Sequence, residues 1–224
     1  MLGKLIVIDG VDGSGKTTQI KMLLERMTQE QLPFSTIKFP RYGQKSAAPV
    51  EEYLAGTYGD MKTVGAKQAS IFYAVDRYAA SFEIRDHLER GTHVILDRYV
   101  SANMGHQGAH INDPEERKKF FLWNDELEHN IFNIPRPHIN IILHVPVEVS
   151  IRLITERGEK KDIIEQDVLA LANAEKSFIE MTQLYADFHL IECFENNTLL
   201  LRETIHQKIW QVVQPILVSQ KIPA

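Results

Sequence analysis

The chain has 224 residues, 44% of them apolar, with 25 Lys+Arg against 30 Asp+Glu and a formal net charge of −5. That length and composition suit one α/β domain, expected to span 1–224, and the acidic balance excludes broad nucleic-acid binding through the whole surface. No apolar run approaches the roughly 18 residues needed to cross a bilayer, the segment "MLGKLIVIDG" is too short for a signal peptide, and the single Cys193 excludes an internal disulfide framework, so a cytosolic globular protein is expected.

The runs "KLIVID", "FSTIKF", "THVILD", "INIILHV" and "FHLIECF" are near-continuously apolar, as strands of a parallel sheet covered on both faces are. Helices are predicted between them, over 17–30, 64–90 (stopping at Gly91), 114–130 (opening on "DPEER"), 147–157, 164–187 and 198–218. This alternation predicts a right-handed, three-layer α/β/α fold around a mostly five-stranded parallel sheet, with ligands at the carboxyl ends of the strands.

The first strand runs into "GVDGSGKT", Gly10 to Thr17, which fits G-x-x-x-x-G-K-[ST] at the start of an amphipathic helix carrying Ile20, Leu23, Leu24 and Met27. Glycines let successive backbone N–H groups curl around phosphate oxygens, and the helix N-terminus adds partial positive charge. Gly10, Gly13, Ser14, Gly15, Lys16, Thr17 and Thr18 are therefore expected to bind the phosphates of ATP, with the Thr17 hydroxyl on Mg²⁺. Asp97, ending the strand "HVILD", is the expected second metal ligand. No guanine-reading N-K-x-D is present, which leaves a small P-loop phosphotransferase needing a pocket for an acceptor.

The sequence resembles the thymidylate kinase family over most of its length. The resemblance rests on "GVDGSGKTTQ", "FPRYGQ" (39–44), "IFYAVDR" (71–77), "DRYVSANMGHQ" (97–107) and the basic, lid-like "ERGEKKD" (156–162). It implies transfer of the ATP γ-phosphate to dTMP, giving dTDP, with Mg²⁺, by a homodimer. Tyr73 and Arg77, four apart on a predicted helix, match the positions that hold thymine. Phe39, Arg41 and Tyr42 match the loop around the monophosphate and sugar, and Arg98 matches an arginine beside the acceptor phosphate and the transferred group. Asp12, an anion placed among phosphates, matches an acceptor of the 3′-hydroxyl hydrogen bond. Asn103, His106 and Gln107 complete the dTMP side.

A lid over about 155–165 is implied as well. Gly13 stands where some members carry a phosphate-loop arginine, so Arg157, Lys160 and Lys161 are expected to bring the remaining positive charge, with Arg157 joining Lys16 and Arg98 in catalysis. His106 departs from the aromatic common at its position, and "DIIE" (162–165) lacks the second lid arginine. Three rivals stay open: a deoxynucleoside kinase, another nucleoside monophosphate kinase, and a nucleotide-binding protein without turnover. No nucleic-acid or membrane partner is expected.

Overall fold

In the computed structural model, which describes residues 2–59, 61–156, 164–196 and 198–218, a parallel sheet is sandwiched between helices. The strands are β1 (Leu5–Asp9), β2 (Phe34–Lys38), β3 (His93–Asp97), β4 (Ile139–His144) and β5 (Phe188–Glu192), in the order β2-β3-β1-β4-β5. All four pairings are parallel. β1 and β3 are buried along their whole length, which is why they read as continuous apolar runs rather than as alternation.

Helix α1 (Lys16–Gln29) buries Ile20, Leu23 and Met27 against one face of the sheet, together with Ile209, Trp210 and Val213 of α9 (Arg202–Val218). The other face packs on α4 (Ala66–Glu89), α6 (Pro114–Asp125) and α8 (Ile164–Leu184) through Ala80, Ile84, Phe120, Phe121 and Phe178. Asp113 caps α6 by accepting from the Glu115 and Glu116 N–H groups, with Pro114 at its first position, so the predicted start holds. Gly91, at φ 79, closes the turn after α4 as expected.

The connections hold more than periodicity announces. Short helices α2 (Ala48–Leu54) and α3 (Met61–Val64) precede α4, and α5 (Val100–Ala102) follows β3. The expected helix over 114–130 changes at Glu126 into a wider π-helical turn, Glu126–Ile131, and a second such turn spans Asn103–Gln107. Gly108 does not break a helix there, as its residue type suggests: it is helical at φ −61, and an added Cβ would meet Ser177 Oγ at 2.7 Å. The expected helix over 198–218 begins only at Arg202, because β6 (Phe194–Glu195) and β7 (Thr198–Leu199) pair as a small antiparallel ribbon first. Between β4 and β5 lie α7 (Val147–Glu156) and α8; the expected lid residues Arg157, Lys160 and Lys161 lie outside the described residues.

Candidate active site

Because β2, β3 and β1 are neighbours in register, their carboxyl ends put Lys38, Asp97 and Asp9 along one edge. The phosphate loop leaves β1 there. Gly10, Gly13 and Gly15 take φ of 140, 82 and 89, which side chains disfavour, and a Cβ on Gly10 would lie 2.5 Å from the Leu143 carbonyl oxygen. Lys16 Nζ is folded back, donating to the carbonyls of Gly10 (3.0 Å) and Val11 (2.8 Å). No side chain caps α1 and no acid sits in its first turn, so its N–H groups are open to an anion. Thr17 and Thr18 are exposed at that turn, while Ser14 Oγ is buried without a partner among the described residues.

A cleft of about 150 Å³ is lined by Asp12, Gly13, Gly15, Lys16, Thr17, Thr18, Lys38, Asp97 and Arg98. Arg98, at φ 67, turns its guanidinium onto Asp12 Oδ1 (2.5 Å), His106 Nε2 and, at 3.6 Å, Asp9 Oδ1. Burial and the Arg98 charge hold the His106 ring down at about 3, so it is neutral at working pH and its Nε2 accepts from Arg98. For Asp12, burial alone would raise the carboxyl, but Arg98 and Lys16 outweigh it and keep it below the usual range. Asp9 is fully buried, accepts from Gly10 N–H (2.9 Å) and Ser101 Oγ (2.7 Å), and is pushed up by that burial. Asp97 keeps Oδ1 buried without a hydrogen-bond partner among the described residues, while Oδ2 lies 3.7 Å from Lys38 Nζ.

The residues expected on the acceptor side gather between α4 and the two π-helical turns. Arg77, 1% exposed, is paired with the fully buried Glu128, and Asn103 donates to the same carboxylate. Tyr73, half-buried, sits edge-on to Tyr53, and burial with the nearby Tyr53 and Tyr42 pushes its hydroxyl above the ordinary tyrosine range. Tyr42 is exposed, whereas Phe39 is buried against Tyr99 and supports the loop from the core. Arg41 is wrapped around Asp76, with N–H and Nε both donating to its carboxylate. Gln107 is buried, its Oε1 without a partner among the described residues. His106 stands edge-on to Phe178 of α8.

A family model described as thymidylate kinase matches residues 8–209. The chain belongs to the thymidylate kinase family. It is 33% identical to the thymidylate kinase of Mycobacterium tuberculosis over 147 residues, which is 65% of this chain and 68% of that one. With the thymidylate kinase of Symbiobacterium thermophilum it shares 32% over 164 residues, 72% of this chain and 71% of the relative. The structure of the thymidylate kinase from Candida albicans superposes with a TM-score of 0.71 at 20% identity, covering 96% of this chain and 92% of that one, which shows the shared fold.

The chain phosphorylates dTMP to dTDP with ATP, as its family does. Of the residues expected from the sequence, the cleft brings together Asp12, Gly13, Gly15, Lys16, Thr17, Thr18, Asp97 and Arg98. Sequence reasoning passed over Lys38, Asp9, Glu128 and Asn124. Asp9 carried a readable signal, a carboxylate ending an apolar strand, as Asp97 does. Glu128 carried a weaker one: it falls at the eighth residue after Phe120, on the buried face that Phe120 and Asn124 mark.

Proposed function

We propose that transfer takes place in the cleft between the phosphate loop and Asp97–Arg98. The triphosphate of ATP lies on the loop and the dTMP base points toward Tyr73, Arg77 and Asn103. A dTMP phosphate oxygen bonds to the γ-phosphorus as the bond to the β–γ bridging oxygen breaks, and ADP leaves. The two nucleotides bring roughly six negative charges. Lys16, released from the Gly10 and Val11 carbonyls, takes the β- and γ-phosphates, and Arg98 takes the acceptor phosphate and the moving group. Asp12 then accepts the 3′-hydroxyl hydrogen bond, and the basic run with Arg157, Lys160 and Lys161 completes the charge.

Magnesium fits the donors present: the orphaned, buried Asp97 Oδ1 and the exposed Thr17 hydroxyl line the same cleft and would hold it. When bound, it neutralises phosphate charge. An exposed apolar stripe on α4, Ile71, Val75, Tyr78 and Phe82, supports a homodimer, and the lone, buried Cys193 supports a reducing compartment such as the cytosol.

The observation that carries this reading is the meeting of Lys16, Thr17, Asp97 and Arg98 in one cleft. The test is ADP release from ATP–Mg²⁺ with dTMP, dUMP, UMP, dCMP and thymidine offered separately. Turnover with dTMP is expected. Turnover with thymidine alone would place the acceptor hydroxyl, not a phosphate, in the cleft, and no turnover with any of them would leave a binding protein.

A further inference from the structure

Beneath the acceptor side lies a closed polar cluster, the side chains of Arg77 (1% exposed), Asn103 (2%), Asn124 and Glu128 (0% each) with the backbone carbonyl of the fully buried Ser70. A carboxylate so buried is costly unless it is paired and its lone pairs are filled. Glu128 meets both conditions. Its Oε2 accepts from Arg77 Nε at 2.5 Å, and its Oε1 from Arg77 Nη2 at 2.7 Å, Asn103 Nδ2 at 3.2 Å and Asn124 Nδ2 at 3.3 Å.

We infer that Glu128 is a positioning residue that dictates which hydrogen-bonding groups Arg77 and Asn103 offer the acceptor base, and so selects a 4-oxo, N3–H pyrimidine over a 4-amino one. This rests on the reading that Arg77 and Asn103 face that base. The guanidinium is a rigid plane, so holding Nε and Nη2 in a two-pronged pair fixes the remaining Nη1 group as the donor left for a ligand. The Asn103 amide is fixed by charge complementarity. Its Nδ2 faces three acceptors, Ser70 O (3.0 Å), Asn124 Oδ1 (3.3 Å) and Glu128 Oε1 (3.2 Å), which leaves Oδ1 as its uncommitted group. One donor and one acceptor match a carbonyl beside a ring N–H. They clash with an amino group beside a bare ring nitrogen, where donor meets donor and acceptor meets acceptor.

Position supports the same assignment. Glu128 and Asn103 each sit in a π-helical turn, and such turns re-aim side chains that a regular helix would place elsewhere. Glu128 has no opening of its own to solvent, so its influence on a ligand passes through Arg77 and Asn103.

The test compares dTMP with 5-methyl-dCMP, which differs only at the 4-position and N3, as acceptors for the wild type and for Glu128→Gln. The glutamine amide nitrogen opposes either the guanidinium or the Asn103 amide, so the pair loses its fixed polarity. The expected result is a KM for dTMP raised by about tenfold or more, a smaller change in kcat, and a preference for dTMP over 5-methyl-dCMP that falls by about tenfold or more. A lower melting temperature with unchanged preference would mean that Glu128 only neutralises a buried arginine, which overturns the proposal. Should Glu128→Gln fail to fold, Asn124→Leu removes one acceptor behind Asn103 and one donor to Glu128, and the same loss of preference is required of it. The wild type alone gives a further check: dTMP methylated at N3 must bind about tenfold more weakly than dTMP, and equal binding overturns the Asn103 polarity. Arg77→Ala separates the two failures. If it leaves the KM for dTMP untouched, the base-site reading itself falls. If it raises that KM while Glu128→Gln keeps the preference, only the role of Glu128 falls.

Discussion

Lys16 shows how burial and neighbouring charge set the protonation of a phosphate-loop lysine. The residue is 8% exposed, and its ammonium donates to two carbonyls of its own loop. Burial, and then the Arg98 charge, hold its pKa down at about 8, against the opposing pull of Asp9, Asp12 and Asp97. A bound triphosphate favours the charged form, so the pKa rises on binding. The sign follows directly: at about pH 8 the free protein holds roughly half a proton on Lys16 and the complex nearly a whole one, so ATP binding takes up about half a proton. Calorimetric titrations of ATP in buffers of different ionisation enthalpy measure that uptake. It should shrink as the pH is lowered toward about 6.5, where both forms are charged, and disappear in Lys16→Met. The same variant should lose about 10²–10³ in kcat, the usual cost of removing one donor to developing charge. Uptake that persists in Lys16→Met would assign the proton to another group.

Helix α8 packs on the turn that carries Asn103 and His106. Ser177 Oγ donates to Met104 O at 2.9 Å, and Phe178 stands edge-on to His106. The contact depends on Gly105, since a Cβ there would lie 2.3 Å from the Phe178 ring. Gly105→Ala must therefore push α8 and the turn apart. Overpacking of this kind costs about 1–3 kcal/mol, a fall of roughly 2–12 °C in melting temperature for a chain of this size. Because the displaced turn holds Asn103, His106 and Gln107, which are proposed to meet the acceptor, the KM for dTMP should rise as well. Thermal melts and steady-state kinetics check both, and Phe178→Leu in the Gly105→Ala background should recover part of each loss. Neither Gly105 nor Phe178 stood out in the sequence, and the reason is physical. The phosphate loop was legible because its chemistry is local: glycines, a lysine and a hydroxyl follow one strand within a few residues. Asp97 was legible because it ends a strand that the parallel register must place beside that loop. Lys38 meets Asp97 only through the β2–β3 register, and Phe178 meets Gly105 only through tertiary packing, 73 positions along the chain from it. The π-helical turns are invisible to a 3.6-residue period, so Glu128 had only the weak signal of its spacing from Phe120 and Asn124.

At the scale of the molecule, α4 carries both the residues proposed to hold the acceptor base and an exposed apolar stripe. Its inner face carries Ala74, Arg77, Ala80, Ser81 and Ile84 into the fold. Its outer face leaves Ile71 39%, Val75 38%, Tyr78 44% and Phe82 61% exposed, and these recur at the spacing of one helical stripe. Tyr78 packs between Phe82 and Phe132, each ring centroid at 5.5 Å, so the stripe continues onto the end of the 126–131 turn that bears Glu128. The proposed homodimer puts a second copy of the chain on this stripe, since a stripe along one helix is complementary to itself across a two-fold axis. Light scattering coupled to size exclusion should give a dimer for the wild type. Phe82→Glu, which brings like charges face to face at the most exposed position, should give a monomer that remains folded. Freed of its partner, α4 loses lateral support along the helix that holds Tyr73 and Arg77, so the monomer should show a raised KM for dTMP with the KM for ATP little changed. A wild-type monomer would remove the stripe from the account of assembly. A Phe82→Glu monomer with unaltered dTMP kinetics would separate assembly from recognition and leave the buried Arg77–Glu128 pair sufficient to hold the acceptor side by itself.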